Sequence, residues 1–179
     1  QQLLRNQTFH LVFLSGHGKF HEDDIGDKSS TAYFIFEGED GYSQPIEANK
    51  LADAFIGTQI QCVVLSACES GKFASDGLNT GLTTQLVEAG LPHVIGMRES
   101  VLDIAGIQFA QALCKAIGHA ERLDVALQQA RQAISQPIKS TGISRDQPKQ
   151  GNEELSLGQW CLPLLFSRDP ARALIDWNF

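Results

Sequence analysis

"VVLSACESG", residues 63–71, places a cysteine and a glutamate directly behind a run of branched apolar side chains. The full run, "IQCVVLSA" at 60–67, is short, continuous and closed by small polar residues, so it reads as a strand buried on both faces. Such strands belong to parallel sheets. The stretch therefore predicts a central strand, with Cys68 where the chain leaves the sheet.

Working outward, two further runs share this character. "FHLVFLSG" (9–16) is apolar until its glycine, and "HVIGM" (93–97) is a shorter copy. Helical spacing separates the three. In residues 47–57, Leu51, Ala52 and Phe55 share a face and Gly57 is a natural stop, while residues 82–90 align Leu82, Leu86 and Val87. "TAYFIFEGEDG" (31–41) alternates into turn residues, which predicts an edge strand or half of a hairpin. Two helices follow in succession, from Asp103 and from Arg122; in the second, Leu123, Ala126, Leu127, Ala130 and Ile134 mark one buried face. Residues 20–30 and 136–154 read as surface loops, and 160–166 as a last strand that Pro163 keeps near an edge. The βαβαβ order predicts an α/β fold with a parallel sheet covered on both faces.

Composition sets the function classes. A chain of 179 residues with 42% hydrophobic content fits one globular domain, residues 1–179, with a real core. A net charge of −7 and no basic stripe argue against nucleic acid as a direct partner. Cys62, Cys68, Cys114 and Cys161 show no CxxC spacing and no apolar leader precedes them, so neither a zinc site nor a secreted disulfide framework is indicated. A reducing, cytoplasmic setting follows. Apolar runs fall short of the roughly 20 residues that span a bilayer, so no membrane partner is expected.

In a parallel sheet the carboxyl ends of the strands share one edge, where α/β folds build sites. Three polar clusters fall there: "SGHG" with His17, "SACESG" with Cys68, and "MRESVLD" with Arg98, Glu99 and Asp103. A cysteine and a histidine from neighbouring strand ends can meet as nucleophile and base. The remaining candidates read as structural. Cys62, Cys114 and Cys161 lie inside apolar patterns and read as packing. His10 and His93 open strands, His119 ends a helix, and His21 sits in a solvated acidic loop. Glu22, Asp23 and Asp24 read as part of that loop rather than a calcium site, and no metal or cofactor is implied. A serine hydrolase using Ser66 or Ser70 lacks the G-x-S-x-G elbow. His17 stands between Gly16 and Gly18, where backbone can approach a ligand closely.

The ordered pair "SGHG" and "SACESG" resembles the caspase-like cysteine peptidases, the group of caspases, metacaspases, legumain and separase, and most of all its bacterial CHAT branch. The resemblance runs through His17-Gly18, Ser66-Ala67-Cys68, Ser70-Gly71, Ala89-Gly90, Val94-Ile95-Gly96, Val101 to Asp103, Ala126 to Arg131 and Trp160. It departs at Met97-Arg98, where CHAT domains often carry a tryptophan. The resemblance implies a caspase-like three-layer sandwich with a mostly parallel sheet. It implies a cysteine endopeptidase acting on protein substrates, with Cys68 as nucleophile, His17 as base and the N–H groups of Gly18 and Cys68 as oxyanion donors. Ser66, Glu69, Arg98, Glu99 and Asp103 are the expected substrate pocket. Legumain and metacaspases carry an acidic residue two positions before the nucleophile; Ser66 stands there, which implies an uncharged or small residue before the cut, with Asp76, Glu99 and Asp103 as rival carboxylates that could enter the pocket from a loop.

The same resemblance makes the histidine strand the third of about six. The chain is thus expected to lack its N-terminal strands, to need an upstream segment or second chain to complete its sheet, and to be the C-terminal part of a larger protein. A regulatory helical-repeat (TPR-type) sensor domain is the expected activator, with little activity in isolation. The alternative is a catalytically silent caspase-like interaction module.

Overall fold

The computed structural model describes residues 8–21, 31–67, 81–99, 101–135, 158–170, 173–175 and 177. They fall into two compact units, Gln1–Ser100 with Leu164–Ile175, and Val101–Pro163 with Asp176–Phe179.

The first unit is built on six strands: β1 Leu11–His21, β2 Thr31–Glu37, β3 Ser43–Glu47, β4 Cys62–Ala67, β5 His93–Met97 and β6 Pro163–Ser167, the last entering the unit at Leu164. Their order is β3-β2-β1-β4-β5-β6. β4 runs parallel to β1, from Leu11↔Cys62 to Gly16↔Ala67, and parallel to β5, from Cys62↔His93 to Leu65↔Gly96. β2 and β3 form an antiparallel hairpin attached to the second half of β1, where His17 faces Ile35 and His21 faces Thr31. β1 therefore changes partner at its midpoint. Helices α1 (Ala48–Asp53) and α2 (Leu82–Glu88) provide the crossovers into β4 and β5. This is the expected α/β class, a mixed six-stranded sheet with a parallel centre, consistent with a caspase-like sandwich.

Strand alternation sends Val63 and Leu65 of β4, Phe34 of β2 and Val94 of β5 to one face, where they join Leu51, Phe55, Leu82 and Leu86 in a single core. Val63, Val64 and Leu65 are 0% exposed, so β4 is covered on both faces. Each such side chain contributes about 1.5–3 kcal/mol by leaving water. Gly57, at φ +75°, lets the chain turn back from α1 towards β4 at little steric cost. His93, buried on β5, has Nδ1 hydrogen-bonded to Ser167 Oγ at 3.0 Å, which joins the strand to β6.

The second unit contains α3 (Asp103–Gly118) and α4 (Leu123–Ala133). Ala105, Phe109, Leu113 and Ala116 of α3 and Leu123, Ala126, Leu127 and Ala130 of α4 are buried, the spacing expected for two helices that pack on each other. A 3-10 turn, Gln159–Cys161, packs on α4. Among the described residues no helix is long and apolar enough to cross a membrane.

Several elements differ from the sequence reading. β1 does not stop at Gly16 but continues to His21, because its polar second half pairs with β2. Its Leu11 to Leu14 are half-buried rather than covered on both faces. β2 is half of a hairpin, as expected, but not an edge: β3 lies outside it, built from a polar segment that carries no strand pattern. Residues 160–162 belong to or follow the 3-10 turn, and the strand starts only at Pro163, at the sheet edge. Residues 22–30 and 136–154 lie outside the described residues.

Candidate functional site

The candidate residues that the structure describes in the first unit lie at the carboxyl end of the parallel strands. The β1–β4 ladder closes on Ser15↔Ser66 and Gly16↔Ala67, and β5 ends at Met97 beside it. Paired residues of a parallel ladder share a face, and alternation adds the residue two along. Ser15, His17 and Ser66 thus lie on one face of the sheet, opposite to Val12 and Leu14. His17 and Ser15 are exposed and Ser66 is half-buried.

His17 sits inside β1, one residue beyond the last parallel pair, and not in a loop after the strand. The antiparallel pairing of His17 with Ile35 and Gly18 with Phe34 fixes its backbone. Gly16 is required at its position by space: a β-carbon there would lie 3.0 Å from the Phe34 ring and 3.4 Å from the Ile35 carbonyl oxygen. Phe34 is itself held against Phe36, with ring centroids 4.8 Å apart. The glycine before the histidine thus lets the hairpin close on β1, with His17 on the face that carries Ser15 and Ser66.

The other expected residues divide. Arg98 and Glu99 are exposed and directly follow β5. Asp103 is exposed in the first turn of α3, in the second unit. Cys68 and Glu69 lie outside the described residues; Cys68 follows Ala67 in sequence. Of the other cysteines, Cys62 is buried as expected, and burial pushes its thiol far above the ordinary cysteine range, which denies it a nucleophilic thiolate. Cys114 and Cys161 are exposed, against the expectation of packing. Cys114 lies off the helix face that buries Leu113, Ala116 and Ile117, and Cys161 sits in the 3-10 turn with Sγ hydrogen-bonded to the Gly158 carbonyl at 2.9 Å.

One contact near Asp103 has no counterpart in the sequence reading. The Leu102 N–H donates to Oε1 of the buried Gln159 at 2.9 Å. Only the polar "GQW" ahead of an apolar run hints at it, and that pattern does not name the partner. Among the described residues no cluster of three or more His, Cys, Asp or Glu could hold a metal ion.

Compared with known families, the chain matches the model of the CHAT domain over residues 1–177. No curated protein matches it.

Proposed function

Because the chain belongs to the CHAT-domain family, whose fold is caspase-like, we propose that it is a cysteine endopeptidase with a Cys68–His17 dyad. The observation that carries the reading is the register Gly16↔Ala67. His17 is the next residue on one strand and Cys68 the next in sequence after the other, so chain connectivity alone starts both from adjacent backbone positions.

The chemistry follows from these groups. The Cys68 thiolate attacks the scissile carbonyl carbon after its proton passes to His17, because only the thiolate is a good nucleophile. The oxyanion of the tetrahedral intermediate is met by the N–H groups of Gly18 and Cys68, which need not reorganise. The C–N bond breaks as His17 protonates the departing amine, and water then hydrolyses the thioester. The resemblance assigns Ser66, Glu69, Arg98, Glu99 and Asp103 to substrate recognition; of these, Ser66 lies at the end of β4 and Arg98 and Glu99 follow β5.

The partner of this domain is a sheet-completing segment, either upstream in the polypeptide or on a second chain. Two features support it. Along Leu11–Gly16 the side of β1 away from β4 carries no ladder among the described residues. Leu11, Val12, Phe13 and Leu14 are apolar yet only half-buried, which is the state of a strand that another strand would cover. As the effector end of a larger protein, under a helical-repeat sensor, the domain on its own has little activity.

A thiol-directed peptide electrophile tests the reading. Intact-mass and peptide mapping are expected to find one adduct, on Cys68, formed slowly by the chain alone, absent in Cys68→Ala and slower still in His17→Ala. Labelling that persists in Cys68→Ala would refute the dyad.

A further inference from the structure

Ile35 of β2 stands directly across from His17, and Pro45 of β3 stands across from Ile35. Residues opposite each other in an antiparallel pair share a face, with β-carbons about 4.5–5.5 Å apart. His17, Ile35 and Pro45 therefore form one row across β1, β2 and β3.

The other face of the hairpin is taken up by the core. Ala32 and Phe34 of β2 are buried there, and Phe36 of β2 and Ile46 of β3 pack against it. Strand alternation turns Ile35 and Pro45 the opposite way. Ile35 is half-buried and Pro45 is exposed. Along β1, the neighbours of His17 on this face are Ser15 and Lys19, both polar and exposed. The next row of the hairpin, Lys19, Tyr33 and Glu47, ends in a charge on either side. On the hairpin side of His17, the aliphatic surface thus comes from Ile35 and Pro45.

The proton transfer supplies the occupant of this surface. When His17 protonates the departing amine, that nitrogen lies within hydrogen-bond reach of the imidazole, about 2.6–3.2 Å. The nitrogen belongs to the residue just after the cut, whose side chain begins only two bonds away. That side chain is therefore held next to the row that His17 shares with Ile35.

We propose that Ile35, with Pro45 beside it, is a specificity-determining residue that selects an aliphatic side chain immediately after the cut; this rests on the peptidase reading. Ile35 takes no part in moving the proton. An aliphatic substrate residue laid over the row removes apolar surface from water on both partners. A carboxylate there would lose hydration with no opposite charge in the row to compensate it.

The test measures kcat/KM of the activated protein on a peptide library randomised on both sides of the cut. Wild type is expected to favour Leu or Val over Asp after the cut by roughly tenfold, the size of one modest apolar contact. Ile35→Thr keeps the β-branched shape that suits a strand and should reduce that ratio to about threefold or less. Ile35→Lys should reverse the order and favour Asp. Preferences before the cut should match wild type in both variants, whereas a merely structural role would slow all peptides alike. A wild type indifferent to the residue after the cut, an unaltered ratio in both variants, or a uniform loss of rate overturns the proposal alone. An activated wild type that cleaves nothing in the library overturns the peptidase reading and this proposal with it.

Discussion

Gly16 and Phe34 are locked together: the phenylalanine ring occupies the space that a side chain at position 16 would need, 3.0 Å from where its β-carbon would stand. Phe34 is 1% exposed and packed on Phe36, so it cannot yield freely. Gly16→Ala is therefore expected to destabilise the chain by about 1–3 kcal/mol, the usual cost of overpacking, rather than stabilise it as glycine replacements often do. Urea unfolding reads the change. Adding Phe34→Leu should recover part of the loss, since the two residues share one space. A Gly16→Ala protein as stable as wild type would show that β1 and β2 separate easily.

The proposed dyad makes a different demand on stability. His17 is exposed, so His17→Ala removes no core contact and is expected to change the melting temperature by no more than a degree or two. Peptide cleavage by the activated protein should nevertheless fall by at least about 10³-fold in His17→Ala and in Cys68→Ala, as for other nucleophile–base pairs. Parallel melting curves and initial rates decide. Full activity in either variant refutes the assignment.

Ser66 makes the third prediction. It is half-buried, on the face of the sheet that carries His17, and it brings no charge. A buried lysine or arginine side chain needs a carboxylate partner, so the cut should follow uncharged or small residues. Profiling with a peptide library checks this, and Ser66→Asp is expected to shift the preference towards basic residues. Strict cleavage after Arg or Lys by the unaltered chain would instead point to an acidic pocket residue elsewhere.

The parts legible in sequence were those where one strong signal dominates. β4 and β5 are continuous apolar runs, and the two long helices repeat their apolar residues at helical spacing, so burial alone specifies them. β3 was not legible, because "SQPIE" becomes a strand only through its pairing with β2. The second half of β1, "HGKFH", failed for the same reason, and with it the placement of His17 inside a strand. Cys114 misled because its neighbours in sequence are apolar while the helix turns its own position outward. The Gln159–Leu102 bond spans 57 residues, beyond the reach of any local pattern.

Arg131 offers a test of the second unit. Its guanidinium gives two N–H groups to one carbonyl oxygen, that of Pro163. Arg131→Met keeps much of the side-chain volume and leaves that oxygen without these donors, so a loss of about 1.5–3 kcal/mol is expected from the charged hydrogen bonds. Arg131→Lys should not restore it fully, because a point-charge ammonium does not reproduce the planar fork. Urea melts of the three proteins measure both. Equal stability of wild type and Arg131→Met would mean that the guanidinium adds nothing to the fold.

Cys62 sets a pH dependence whose sign follows from its burial. In the unfolded chain its thiol ionises near its ordinary value of 9.0, whereas burial holds it protonated in the native state to far higher pH. Above that ordinary value the native state binds the extra proton, so stability falls as pH rises, and below it the contribution is constant. Between pH 8 and pH 10 the wild type is expected to lose about 1.4 kcal/mol more than Cys62→Ala, in which this group is absent. Lysines and tyrosines titrate in both proteins, so the difference between the two curves isolates the cysteine. The variant should be less stable at pH 7, through the cavity it leaves, and the gap between the two proteins should then narrow as pH rises. Denaturant melts at pH 7, 8, 9 and 10 provide the curves. Parallel slopes would mean that Cys62 ionises within the folded protein and that the centre of the sheet admits water.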